Sequence, residues 1–315
     1  MIRPPRSDAK IPPENTVPMR FAKKHYKISR IYADRDMHLL NYACKGFVSG
    51  SDQLWSPWLE QYAGPSCFLS FANKNSLRVS YGSSFGNSED LPQSFVDRYR
   101  GEIDKFDAVS VREDYGLNIC DKYFDKKANF VCDPVFLCKT EEYVELAKQS
   151  TCKFPHSFIL NFILDPDEEK NEASDFVARK YNAKSVCFTD LQNSEEKATK
   201  FGSSIVYAQH PIEDLLKAYS ECKFVITDSF HGTCLAIIFN KPFISIANKN
   251  RGERRFKSLL KWVGLSEQLV NSPMDILENH RLCEPINYAM INKNVENFAN
   301  QSFRWLADAL KKMKY

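Results

Sequence analysis

The stretch Phe224-Val225-Ile226-Thr227-Asp228-Ser229-Phe230-His231-Gly232-Thr233 decides the fold. An apolar, β-branched run passes straight into a polar turn, and a second apolar segment, Cys234 to Phe239, follows at once. That order is a strand feeding a helix through a minimal connection, as in parallel α/β sheets. Asp228 or Ser229 is the expected helix cap. His231, Gly232 and Thr233 then fall in the first turn, where open N–H groups and the positive end of the helix dipole favour an anion. Gly232 lets a ligand approach the backbone closely, and His231 is placed to donate to a phosphate or to transfer a proton. The plainer alternative is a capping Asp or Ser beside a surface histidine.

The same alternation extends in both directions. Towards the C-terminus, Pro242 to Ile246 reads as strand and Arg254 to Val263 as a helix stopped by Gly264, followed by a last amphipathic helix over Val295 to Lys312. Towards the N-terminus, strands are expected at Ser157–Leu164, Lys184–Phe188 and Ile205–Ala208, with helices at Glu168–Tyr181 and Ile212–Tyr219. Before a hinge at Thr151–Pro155 the order repeats. Strands at Gly46–Gly50, Ser76–Ser84, Ala108–Val111 and Asn129–Leu137 alternate with helices at Ser94–Phe106, Tyr115–Tyr123 and Glu141–Gln149. Two successive α/β halves predict two Rossmann-like domains facing a cleft, with ligands bound beyond the carboxyl ends of the strands. The expected divisions are an irregular lead-in, 1–18, rich in proline; a first domain, 19–152; a second, 153–290; and a C-terminal helix, 291–315.

Further candidates lie just after strands. Arg112 follows the strand ending at Val111, and its planar fork suits a carboxylate or a phosphate; the plainer reading is a salt bridge to Glu113, Asp114 or a neighbour. Gly50-Ser51-Asp52-Gln53-Leu54-Trp55 and Tyr81-Gly82-Ser83-Ser84-Phe85-Gly86 are small polar turns that either line a cleft or only make the bend. Lys249, Arg251, Arg254, Arg255 and Lys257 crowd a helix start, where cations oppose the dipole, so either Glu253 or a bound anion compensates them; the plainer reading is a solvated basic face.

Composition narrows the classes of partner. The 315 residues carry 43 Lys and Arg against 40 Asp and Glu, a net charge of +3, which gives no electrostatic case for nucleic acid. No apolar stretch approaches the ~20 residues that cross a bilayer, and the first ten residues hold no apolar signal-peptide core. Ten cysteines without a C-x-x-C pair predict buried free thiols in a reducing cytosol and no metal site.

Taken in order, these turns resemble the polysaccharide pyruvyl transferase family. The matching stretches are Val48-Ser49-Gly50-Ser51-Asp52-Gln53-Leu54-Trp55, Ser80 to Gly86, Val109-Ser110-Val111-Arg112-Glu113-Asp114, Cys132-Asp133-Pro134, Thr227 to Thr233, Phe239-Asn240-Lys241-Pro242-Phe243, and Arg251 with Arg255 to Leu260 and Gly264-Leu265. The likeness spans about residues 45–266. It implies a fold similar to that of GT-B glycosyltransferases, and transfer of a pyruvyl group from phosphoenolpyruvate to two hydroxyls of a sugar as a cyclic ketal. Phosphoenolpyruvate is then a donor substrate, with no cofactor and no metal. The acceptor is a glycan or a lipid-linked sugar, and the location is the cytoplasm, at the inner face of the cell membrane where the acceptor is lipid-linked.

The resemblance implies that His231 and Arg112 belong to the catalytic site with Asp228 beside them. Ser229, Gly232, Thr233, Arg251, Arg255, Asp52, Gln53, Ser83 and Ser84 are the substrate-binding candidates. In two places the chain departs from the family pattern. Residues 1–45 show no opening strand and Gly/Asn-rich loop, so the first domain is expected to lack its usual N-terminal strand-loop-helix. Ser229 stands where some members carry Arg, so phosphate charge falls to Arg112, Arg251 or Arg255. The rival readings are a GT-B glycosyltransferase with a sugar-nucleotide donor and an inactive relative.

Overall fold

Short apolar runs that end in polar turns supply the parallel strands of the computed structural model, which describes residues 17–28, 34–59, 64–88, 90–189, 205–207, 210–248 and 252–312. In chain order the elements are α1 (Val17–His25), β1 (Gly46–Ser49), β2 (Leu77–Ser83), α2 (Gln93–Ile103), β3 (Ala108–Val111), α3 (Asp114–Phe124), β4 (Asn129–Phe130), α4 (Thr140–Ala147) and β5 (Phe158–Phe162). They continue with α5 (Glu168–Lys180), β6 (Lys184–Phe188), β7 (Ile205–Tyr207), α6 (Ile212–Glu221), β8 (Val225–Thr227), α7 (Phe230–Ile238) and β9 (Phe243–Ile246). Last come α8 (Glu253–Val263), β10 (Leu269–Val270), α9 (Asp275–Glu278) and α10 (Tyr288–Leu310).

Two units each carry their own sheet. The first comprises residues 27–137 and 295–312; the second comprises 138–294 and helix α1. The divisions differ from those expected from the sequence. Residues 138–152 and α1 belong with the second unit, and the end of α10 belongs with the first. Val17 and Pro18 open a helix, with Pro18 in the first turn, where its missing N–H costs no bond. Residues 1–16 and Ala208 lie outside the described residues.

The first unit's sheet runs β1-β2-β3-β4, all parallel. One face is covered by α2 and α3. Phe95, Val96, Tyr99 and Ile103 form the buried stripe of α2, and they meet a cluster built on Trp55, whose ring stacks on Phe68 at 5.6 Å. The other face, Leu77 and Val79 with Ala108, is covered by Trp305, Leu306 and Ala309 of α10. Strand β4 stops at Phe130 rather than running to Leu137. Asp133 Oδ1 accepts from Val135 N at 3.1 Å, and Pro134 has no N–H to offer a ladder, so Pro134–Leu137 coils into a 3-10 turn.

The second unit's sheet has the order β7-β6-β5-β8-β9-β10, again all parallel. The chain therefore winds outward from β5 to one edge, then restarts at β8 and winds to the other. The carboxyl ends of β5 and β8 flank the topological switch point, where sheets of this kind open a ligand crevice. Cys120, Cys132, Cys187, Cys222, Cys234 and Cys283 are buried, as expected, whereas Cys44 and Cys138 are exposed. Among the described residues, no helix is long and apolar enough to cross a membrane.

Candidate functional site

In the second unit the site is built on the β8–α7 turn. Ser229, extended at φ −100°, is the cap: its Oγ accepts from Gly232 N at 3.2 Å, and its carbonyl accepts the first helical bond from Thr233 N. Thr227 Oγ1 braces the turn, donating to Phe162 O at 2.7 Å and accepting from Ser229 N at 3.0 Å. His231 stands half-buried at the second helical position, ahead of that first bond, so its ring rises from the positive end of the helix. Gly232 and Thr233 serve packing. Thr233 Oγ1 is 2.6 Å from Ser245 Oγ, tying α7 to β9. A Cβ on Gly232 would fall 2.2 Å from Thr227 Oγ1 and 2.9 Å from Phe162. The glycine expected to admit a ligand is thus required by the helix lying close on its own strand.

Asp228 does not cap α7. Its Oδ1 accepts from Leu164 N at 2.6 Å and its Oδ2 from Asp165 N at 3.1 Å, while Lys170 Nζ lies 3.4 Å from Oδ2. The side chain therefore spans the switch point, binding the turn after β5 to the turn after β8. Burial pushes the carboxyl's pKa up, opposed by the two backbone donors and by Lys170. With both oxygens so engaged, Asp228 positions the crevice rather than a substrate.

The basic run at the start of α8 resolves in part. Arg251 and Lys249 lie outside the described residues. Arg255 is buried, with its guanidinium over the Phe230 ring at 5.3 Å, and Phe230 in turn meets His231 edge-on at 5.4 Å. Glu253 pairs with Lys257 one turn on, compensating one of the cations. Gly252 opens this helix at φ +103°, and a Cβ there would meet Arg255 Nε at 2.8 Å. The left-handed glycine makes room for the arginine.

In the first unit Arg112 is the hub at the carboxyl edge of the sheet. Its Nη2 is 2.8 Å from Asp52 Oδ1, its Nε is 3.2 Å from Glu113 Oε1, and its Nη1 donates to Asp133 Oδ2. Burial opposes the guanidinium's charge, but Asp133, Glu113 and Asp52 outweigh it and hold the pKa above its ordinary value. One cation among three carboxylates makes a locally negative cluster. Arg112 therefore holds the turns after β1, β3 and β4 together and does not offer an anion clamp.

Ser83 and Ser84 are buried as well. Ser83 Oγ donates to Gly50 O at 3.2 Å, and Ser84 Oγ accepts from Gly86 N at 3.0 Å. The N–H groups of Gly82 and Ser84 go to Ser110 Oγ and Asp52 O. This turn makes the bend, and its glycine at φ +60° sits at the register shift between β2 and β3. Gln53 is half-buried against Gly86, where a Cβ would meet its Oε1 at 2.7 Å. Asp52 stays at the surface, its side chain 56% exposed and its backbone at φ +71°. The sequence pointed to Glu113 as a partner of Arg112 but not to Asp133 or Asp52, nor to Lys170 as the partner of Asp228.

A family model described as polysaccharide pyruvyl transferase matches residues 2–250. No curated protein matches the sequence. Among solved structures, the UDP-GlcNAc 2-epimerase from Methanocaldococcus jannaschii is similar at 12% identity over 85% of this chain and 78% of its own, with a TM-score of 0.54. The UDP-GlcNAc 2-epimerase from Neisseria meningitidis, bound to UDP-GlcNAc, gives 12% identity over 80% and 74%, with a TM-score of 0.53. The S. aureus MnaA–UDP structure gives 11% over 92% and 84%, with a TM-score of 0.53. At these identities the likeness is one of fold, and the fold is of the GT-B type.

Proposed function

The chain belongs to the polysaccharide pyruvyl transferase family, and from that premise we propose that it moves a pyruvyl group from phosphoenolpyruvate onto two hydroxyls of a sugar, in a polysaccharide or its precursor, as a cyclic ketal. The observation that carries this reading for the second unit is the Ser229-capped helix end that presents His231 at the switch point. Phosphoenolpyruvate brings a phosphate and a carboxylate, and the positive end of a helix favours such charge. Arg255 is the remaining described candidate for phosphate, because Arg112 is engaged by three carboxylates.

The chemistry begins with a proton delivered to the methylene carbon, which leaves C2 oxocarbenium-like. A sugar hydroxyl attacks C2 and loses its proton, phosphate leaves, and the second hydroxyl closes the ring with loss of its own proton. His231 is the acid and base for these transfers.

The test is a thermal titration with phosphoenolpyruvate beside UDP-, GDP- and CMP-sugars, with phosphate release measured across a panel of acceptors. A ligand at 100 times its dissociation constant adds ~2.7 kcal/mol to stability. Stabilisation by phosphoenolpyruvate alone is expected, with His231→Gln still binding but releasing phosphate at least ~100-fold more slowly. Near-normal turnover by that variant removes His231 from the role. Stabilisation by a nucleotide sugar instead replaces pyruvyl transfer with glycosyl transfer.

A further inference from the structure

From Asn15 to Ala33 the sequence has five Lys and Arg and no Asp or Glu. Helix α1 lies within this stretch. Val17, Met19, Phe21 and Ala22 are half-buried, and Lys24 anchors the helix to its unit, with Nζ 2.8 Å from Gln149 Oε1 and 3.2 Å from Glu213 Oε1. The outer side is different. Arg20 and Lys23, three residues apart and so on one side of the helix, are exposed, and Lys27 follows just beyond the helix end. Cations in a last turn suit the helix dipole, which accounts for Lys23 and Lys24 on structural grounds alone. It does not account for the company they keep: Tyr26 is 66% exposed and Ile28 is 44% exposed, both beside Lys27.

We propose that this exposed cationic face of α1, with Tyr26 and Ile28, docks the protein on an anionic lipid bilayer surface. The charge is complementary to anionic headgroups, each such cation being worth about a fivefold gain in binding near a charged membrane. The mixture with an aromatic and an aliphatic side chain favours a bilayer over a nucleic acid, because tyrosine and aliphatic groups settle at the headgroup level while a phosphate backbone uses the cations alone. The proposal does not depend on the pyruvyl transfer reading. It rests on other residues, and its test uses no phosphoenolpyruvate.

The experiment is flotation of the full chain with phosphatidylcholine vesicles containing about one-third phosphatidylglycerol, beside pure phosphatidylcholine vesicles, at low and high salt. Binding to the anionic vesicles alone is expected, weakening as salt rises. K23Q together with K27Q should lower that binding roughly 25-fold at unchanged melting temperature. Tyr26→Ser should weaken it without altering the salt dependence. Equal binding to neutral vesicles, no binding to either, or a double variant that binds as the unaltered chain does would overturn the proposal. So would an oligonucleotide that displaces the protein from the vesicles. Should the double variant fail to fold, the salt titration of the unaltered chain decides, since binding that persists unchanged at high salt is not this electrostatic docking.

Discussion

At the carboxyl end of β8, the methyl group that Gly232→Ala adds falls on Thr227 Oγ1 and the Phe162 ring, both of which are fixed by the strands. Neither can retreat cheaply, so the substitution is expected to cost about 1–3 kcal/mol, read as a lowered urea midpoint. Adding Thr227→Ala should recover part of that loss, and an absence of recovery would place the strain elsewhere. Arg112 is a second residue whose weight comes from its neighbours. Its removal in Arg112→Met leaves Glu113 and Asp133 as buried carboxylates without their cation, a change worth about 3–5 kcal/mol. Combining it with Asp133→Asn should be milder than the sum of the two. These two residues also mark what a sequence can disclose about a site. The Ser229 cap and the place of His231 are legible because each follows from neighbours a few positions away. The burial of Arg112 is not legible, because Asp133 lies 21 residues away and Asp52 lies 60 away, and only the fold brings them to one guanidinium.

At the scale of elements, alternation of apolar runs and polar turns gave strand positions to within a residue or two, since a strand buried on both faces reads as a continuous apolar run. It failed where the run was long but the backbone could not extend. Val131-Cys132 and Val135-Phe136-Leu137 look like one strand, yet Pro134 and the Asp133 side chain coil the middle of it. It also missed β10, two residues paired to β9, which is too short to show a period. The ends of β6 and β7 carry a pH dependence that pattern alone does not display. The Phe188 ring meets His210 edge-on at 4.4 Å and stacks on Tyr207 at 5.1 Å. Burial lowers the His210 pKa below its usual 6.5, against the opposing effect of the Pro211 and Thr189 carbonyls. The unfolded chain therefore takes up a proton at a pH where the folded chain does not. Stability from this histidine is complete above 6.5 and declines as pH falls below it. His210→Gln should flatten that decline in urea midpoints measured across the range. An unchanged slope would mean that another group titrates there.

At the scale of the whole chain, sequence order and unit membership part company. The first unit is completed by residues from the far end of the chain, because the lower face of its sheet has no other described cover. Leu77, Val79 and Ala108 meet Trp305, Leu306 and Ala309, Phe130 packs on Phe298 at 5.0 Å, and Ser302 Oγ accepts from Cys132 N at 2.9 Å. The second unit owes none of its sheet to that segment; its helices and all six strands lie between 138 and 294, with α1 added from the other end. Ending the chain at Asn294 should therefore act on one unit and spare the other. Uncovering two or three large apolar side chains costs roughly 1.5–3 kcal/mol each, which is most of the ~5–15 kcal/mol that holds a typical domain. Amide hydrogen exchange gives the readout. Protection along β2 and β3 should collapse in the truncated chain, while protection along β5 and β8 stays within about tenfold of the full chain. Equal loss in both sheets would show that the two units fold as one cooperative body, and retained protection in β2 would show that the α10 contacts contribute little to the first core.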